Sequence, residues 1–308
     1  MKRALLPARL PVWALALAML AGCATPPPAP PAALFLDAAF APPSEAIGAD
    51  NLFTLSPAMQ AYLRSPAFKV LLRTRGRERG LLDALTSQQD LKLDYDAGAT
   101  RPAAATYAAR AGNCLSLVIM TAAFARELGL TVRYQSVNVE DAWRREGTLY
   151  LVAAHVNIAL GHRKPRDLLY DDKAGQELVV DFLPPPDAAR LRTRPLDEGE
   201  LVALFLNNRA AETLVQGRID DAYWWARAAV HANPASATAY NTLGVIYQRH
   251  GLLPLAERAY RAALGRDPDN LVTMQNLWPL LARLGRAEEA QALAQRAAAI
   301  QPVPPPLM

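Results

Sequence analysis

The last third of the chain repeats itself every 34 residues. Pro234, Pro268 and Pro302 stand 34 apart, as do Gly217, Gly251 and Gly285, and Ala222, Ala256 and Ala290. Three residue types keeping one period over one stretch constrain the fold more than any other feature. A repeat of this length is a supersecondary unit that buries its apolar side only against the next copy. The alanines let helices approach closely, the aromatic residues fill the gaps, and a proline stops each second helix. The expectation is an all-α array over 200–304, with repeats at about 203–236, 237–270 and 271–304.

The middle copy carries Tyr240, Leu243, Gly244, Tyr247, Ala256, Tyr260, Ala263 and Pro268 in register. In this order and period the array resembles the tetratricopeptide (TPR) family. The first copy has Arg209-Ala210 where the middle one has Leu243-Gly244, and the third has Trp278-Pro279 inside its first helix. Both read as capping variants at the ends of a stack. Trp224-Trp225 sits at helical spacing within a repeat and reads as packing rather than as a ligand platform. A solenoid of this kind supplies a surface and not a ligand, so the fold alone names no partner.

The other end of the chain reads as a targeting signal. Lys2, Arg3 and Arg9 precede an apolar stretch from Leu10 to Leu20, which is short for a membrane span. Leu20-Ala21-Gly22-Cys23 resembles the lipobox of bacterial lipoproteins. That resemblance implies a signal peptide over 1–22, cleavage before Cys23 and lipidation there. Ala24 after the cysteine resembles an outer-membrane sorting signal, hence a lipid-anchored protein on the periplasmic side of a Gram-negative outer membrane. An ordinary secretory signal with an incidental Cys23 is the alternative. Cleavage removes three of the 33 basic residues and leaves 30 against 29 acidic ones, so the mature chain is almost neutral. No basic stripe or module supports nucleic-acid binding. Residues 23–48, rich in proline and alanine from Thr25 to Pro31, are expected to form an extended tether.

Between tether and array, residues 49–190 read as an α+β domain. Met59, Tyr62, Leu63, Val70 and Leu71 fall at helical spacing, and a further helix is expected over Gly80–Leu85. Tyr95–Ala99 reads as an extended or loop connection. Cys114 opens an amphipathic helix with an apolar face from Leu117 to Leu128, stopped by Gly129. Strands are expected over Thr131–Val139, Leu149–Leu160 and Glu177–Leu183. Pro184-Pro185-Pro186 and the polar stretch to Glu200 mark the boundary. Helices followed by strands indicate an antiparallel sheet.

The chain has two cysteines, and a lipidated Cys23 leaves no second one with which Cys114 can form a disulfide. A thiol kept in an oxidising compartment is a liability unless its reactivity is used. At a helix N-terminus the dipole and the exposed amides favour thiolate character and can stabilise an oxyanion. Of the four histidines, His231 and His250 belong to the array, which leaves His155 and His162. His155 lies in a strand, which fixes side-chain direction better than the turn around His162. Asp181, among apolar neighbours, ranks above Asp171 and Asp172 as the orienting acid. Ordinary packing is the alternative for Cys114 and His155, and capping of the loop before the prolines for Asp181.

Cysteine at a helix start, then histidine and aspartate on successive strands, resembles the transglutaminase-like superfamily of papain-type cysteine enzymes. Thr100, Ala104, Tyr107, Arg110 and Gly112-Asn113-Cys114 resemble the approach to that family's nucleophile, and Ala125–Leu130 followed by Val132-Arg133-Tyr134 its exit into a strand. The resemblance covers roughly residues 50–190. It implies Cys114 as nucleophile, His155 as general base and acid, and Asp181 as the residue orienting the imidazole. The 155–181 interval is longer than the family's usual hairpin, and no aromatic residue follows His155. The expected activity is peptidase- or amidase-type hydrolysis of a peptide or protein substrate held by the repeats, with no cofactor or metal. A catalytically silent scaffold for protein–protein interaction or envelope assembly is the competing reading. An amidase acting on cell-wall peptides is a third.

Overall fold

Ser56 and Ser65 each accept a main-chain N–H from three residues on, and each is followed by a proline in the first turn. These caps start α1 (Pro57–Arg64) and α2 (Pro66–Arg75). Gly76, at φ 82, then reverses the chain into α3 (Arg77–Thr86). The computed structural model describes residues 32–87, 91, 93–137, 143–146, 149–152, 155–161, 177–182 and 193–300. The signal segment, Cys23, His162, Asp171, Asp172, the triple proline and Pro302 lie outside the described residues. The two-residue strand β1 (Asp94–Tyr95) runs parallel to β2 (Ala111–Gly112), with α4 (Ala103–Ala109) between them.

The centre of this half is α5 (Cys114–Glu127). The sequence suggested one apolar face, yet every residue from Cys114 to Ala125 is buried. α3 and α4 pack on it from one side, and β3 (Thr131–Val137) and β6 (His155–Gly161) from the other. An all-round apolar helix is a core helix, which is why its amphipathic signal is weak. Within the stretch Leu149–Leu160, β5 (Leu149–Val152) pairs antiparallel with β4 (Trp143–Glu146), whereas β6 pairs with β3, and residues 153 and 154 lie outside the described residues. β7 (Leu178–Val180) and β8 (Thr193–Leu196) complete a sheet of order β7-β6-β3-β8, antiparallel at each pairing. β8 corrects the boundary expected at residue 190. The polar stretch after the prolines supplies an edge strand, with Pro195 at an edge position where a missing N–H is tolerated.

The C-terminal part is an array of helix pairs: α6 (Glu198–Val215) with α7 (Ile219–Ala232), α8 (Ala237–His250) with α9 (Leu253–Leu264), and α10 (Leu271–Arg283) with α11 (Ala287–Ile300). Asp197 and Glu200 form a reciprocal capping box at the start of α6. The repeating glycines have a physical cause. Gly217, Gly251 and Gly285 lie at φ 80, 89 and 78 between the two helices of a pair, a left-handed conformation that side chains resist. Ala222 and Ala256 are wholly buried, and a methyl on Gly244 would meet the Tyr260 ring at 2.5 Å. The helix α10 continues through Pro279. β5 lies against α8 and α10, the first helices of the second and third pairs.

Residues 32–48 are not a tether. They carry short 3-10 turns at Ala32–Leu34 and Asp37–Ala39 and run as a strap over the array. Phe40 stacks on Tyr223 at 3.9 Å between ring centres, and Phe35 stacks on His231 at 5.0 Å. Tyr247 donates to the Leu34 carbonyl at 2.7 Å, and Trp224 to that of Ala41 at 2.7 Å. The main-chain N–H and hydroxyl of Ser44 both bind Asp221 at 2.7 Å, and the Trp225 indole donates to Glu45 at 3.0 Å. The tryptophan pair therefore packs, as its spacing suggested, but against this strap. Leucine and phenylalanine at 34, 35 and 40 interrupt the Pro/Ala composition, and that interruption was the available signal.

Candidate active site

Cys114 stands first in α5 because Asn113 caps that helix. The Asn113 side-chain oxygen accepts from the Ser116 main-chain N–H at 2.9 Å and from the Ser116 hydroxyl at 2.9 Å. Gly112 is required immediately before, since a methyl there would lie 2.7 Å from the Ser116 Cβ. Cys114 therefore stands in the first turn of α5, and its residue is 8% exposed.

The sheet brings the other two residues to this point. β6 pairs with β3 so that His155 stands opposite Val137, and with β7 so that Ile158 stands opposite Val180. One step beyond that ladder Asp181 faces Asn157, and the two-residue period of the strand puts His155 on the same side as Asn157. His155 Nε2 lies 2.9 Å and 3.0 Å from the two Asp181 carboxylate oxygens, and the Asn157 amide donates to the same carboxylate at 3.3 Å. The side chains of His155 and Asp181 are 10% and 14% exposed. Cys114 hydrogen-bonds the imidazole as well. With Nε2 engaged by the carboxylate, Nδ1 is the ring nitrogen left for the sulfur. The three residues singled out in the sequence thus meet at one place, and the long 155–181 interval does not prevent their strands from pairing.

Electrostatics follow from this geometry. The hydrogen bond to Asp181, and after it the one to Cys114, push His155 up to about 9 against an opposing burial penalty. The imidazole is accordingly cationic at neutral pH. Tyr95, which the sequence placed in an extended or loop connection, reaches the same site from β1. β1 is held to the strand before Cys114 by the Tyr95–Gly112 pairing and by the Asp96 N–H to Gly112 carbonyl bond of 3.0 Å. Its hydroxyl hydrogen-bonds the main chain and the thiol of Cys114, and burial with the neighbouring sulfur raises its pKa. A two-residue strand leaves no periodicity to detect, so composition offered no signal for Tyr95. Asn157 was hidden likewise, inside an apolar strand.

Among the described residues no group of three or more His, Cys, Asp or Glu side chains is placed to hold a metal ion. His231 and His250 lie in the array against the strap, the first stacked on Phe35 and the second tilted against Phe40, and take no part in the site. Compared with known proteins, the chain matches no family model and no curated protein sequence.

Proposed function

We propose that the chain is a transglutaminase-like thiol acyl-transfer enzyme fused to a TPR array, acting as a peptidase or amidase on a peptide or protein substrate. The observation that carries this reading is the alignment of Cys114, His155 and Asp181, with the imidazole between sulfur and carboxylate. A thiolate is the attacking form, and a neighbouring imidazolium is one of the groups that stabilises it. Cys114 Sγ attacks an amide carbonyl and forms the carbon–sulfur bond. His155 gives its proton to the departing amine as the carbon–nitrogen bond breaks. Neutral His155 then takes a proton from water, which attacks the thioester and releases acid and thiolate. Asp181 holds the ring in one orientation throughout. The amides at the α5 N-terminus face the developing oxyanion.

The expected setting is the periplasmic face of an outer membrane, with lipid on Cys23. The strap shortens the reach of such an anchor: eight residues lie between Cys23 and Ala32, a span of about 30 Å when fully extended. The repeats would stand close to the lipid surface rather than at the end of a long tether. β5 lies on the first helices of the second and third pairs, so a peptide held by the array would settle on another part of its surface.

The test is hydrolysis of peptide and amide substrates, with labelled cell-wall peptides in the same panel. Cys114→Ser removes turnover without changing the circular dichroism spectrum. Equal turnover by that variant sinks the acyl-transfer mechanism. Alkylation of Cys114 that is slow and indifferent to His155→Ala favours the scaffold.

A further inference from the structure

The helix that begins at Cys114 is tied to the repeat array by a chain of buried and part-buried hydrogen bonds. On α6, Glu212 Oε1 accepts from the main-chain N–H of Thr100 at 2.8 Å and from its hydroxyl at 2.6 Å. The Thr100 oxygen accepts in turn from the Asn113 amide at 2.7 Å and from the Asn208 amide at 3.3 Å. Asn113 Oδ1 then caps α5 through Ser116, whose hydroxyl accepts the Arg101 N–H at 2.9 Å. Thr100 is 2% exposed, Asn113 8% and Ser116 fully buried.

The direction of these bonds is the important point. A carboxylate only accepts, so Glu212 commits the single Thr100 hydroxyl proton to itself. The Thr100 lone pairs are then available only to donors, and Asn113 must turn its NH2 toward Thr100 and its oxygen toward the Ser116 N–H. Without Glu212 the hydroxyl loses its carboxylate acceptor and is free to donate to Asn113 Oδ1. That turns the carboxamide around and sets its NH2 against the N–H it should cap.

We propose that Glu212 is a positioning residue for Cys114: a side chain of the repeat array that, through Thr100 and Asn113, fixes the cap of the nucleophile's helix. This rests on the acyl-transfer reading for its functional meaning, but its geometry is independent of any substrate. It makes the first repeat part of the active site rather than an appended binding module.

The experiment uses the full chain with Glu212→Ala and with Glu212→Gln, whose amide oxygen keeps an acceptor for Thr100. Gly244→Ala serves as a control that loosens the array away from this chain of bonds. Two quantities are measured under native conditions: hydrogen exchange at the Ser116 amide, and alkylation by iodoacetamide at Cys114, both resolved by mass spectrometry of the corresponding peptides. Glu212→Ala speeds Ser116 exchange and slows Cys114 alkylation by about fivefold each, the order of one lost helix cap. Glu212→Gln restores both, and Gly244→Ala moves neither. Unchanged Ser116 exchange in folded Glu212→Ala overturns the proposal, as does equal disturbance by Gly244→Ala. Alkylation in the parent no faster than in the unfolded chain overturns the acyl-transfer reading instead, while the exchange data still decide the role of Glu212.

Discussion

Replacing Asp181 by asparagine keeps the shape of the side chain and removes its charge, so it isolates what the carboxylate does for His155. The folded protein holds His155 at about 9, with the Asp181 hydrogen bond the largest cause, against an ordinary histidine value of 6.5. A group whose folded pKa is raised stabilises the fold fully below its unfolded pKa, and that contribution is lost as pH rises through the folded pKa. The full span amounts to about 3 kcal/mol, at roughly 1.4 kcal/mol for each pH unit between the two values. Between pH 7 and 9.5 the linkage relation leaves a loss of about 2 kcal/mol in the parent. Urea unfolding across this range measures it, and Asp181→Asn flattens most of that slope. Because every other titratable group is common to both proteins, the difference between the two curves belongs to the His155–Asp181 pair. Parallel curves, or a parent whose stability does not fall between pH 7 and 9.5, would refute the charge-pair argument.

Phe40→Ala empties the stack on Tyr223 and costs about 3 kcal/mol, as for other buried aromatic truncations, read as a fall in the urea midpoint; a loss under about 1 kcal/mol would mean that the strap is dispensable. Gly244→Ala drives a methyl into the Tyr260 ring and lowers stability by about 2 kcal/mol in the same assay. A fragment ending at residue 190 lacks β8 and the Glu212 bonds to Thr100, so it shows a broad, weakly cooperative thermal transition, whereas a fragment ending at residue 300 melts cooperatively.

Periodicity and the helix stop at Gly129 were legible in the sequence because they are short-range physics. The 34-residue recurrence of glycine, alanine and proline announced the helix pairs, since a left-handed turn and a close helix crossing each permit few residue types. Asn113 before Cys114, and His155 within an apolar run, placed a thiol at a helix start and an imidazole on a strand for similar reasons. Other features depend on residues far apart in the chain. Phe40 meets Tyr223, and Thr100 meets Glu212, only because the array folds back over the first half. Burial of α5 on every side, the different partners of β5 and β6, the edge strand β8 and the approach of Tyr95 to Cys114 all follow from which surfaces pack together. The sequence by itself determined the periodic elements and singled out Cys114, His155 and Asp181 as candidates. Only tertiary structure decided that sulfur, imidazole and carboxylate share one site, and that the array helps to hold it, because hydrogen bonds and burial between distant segments leave no periodic trace in the chain.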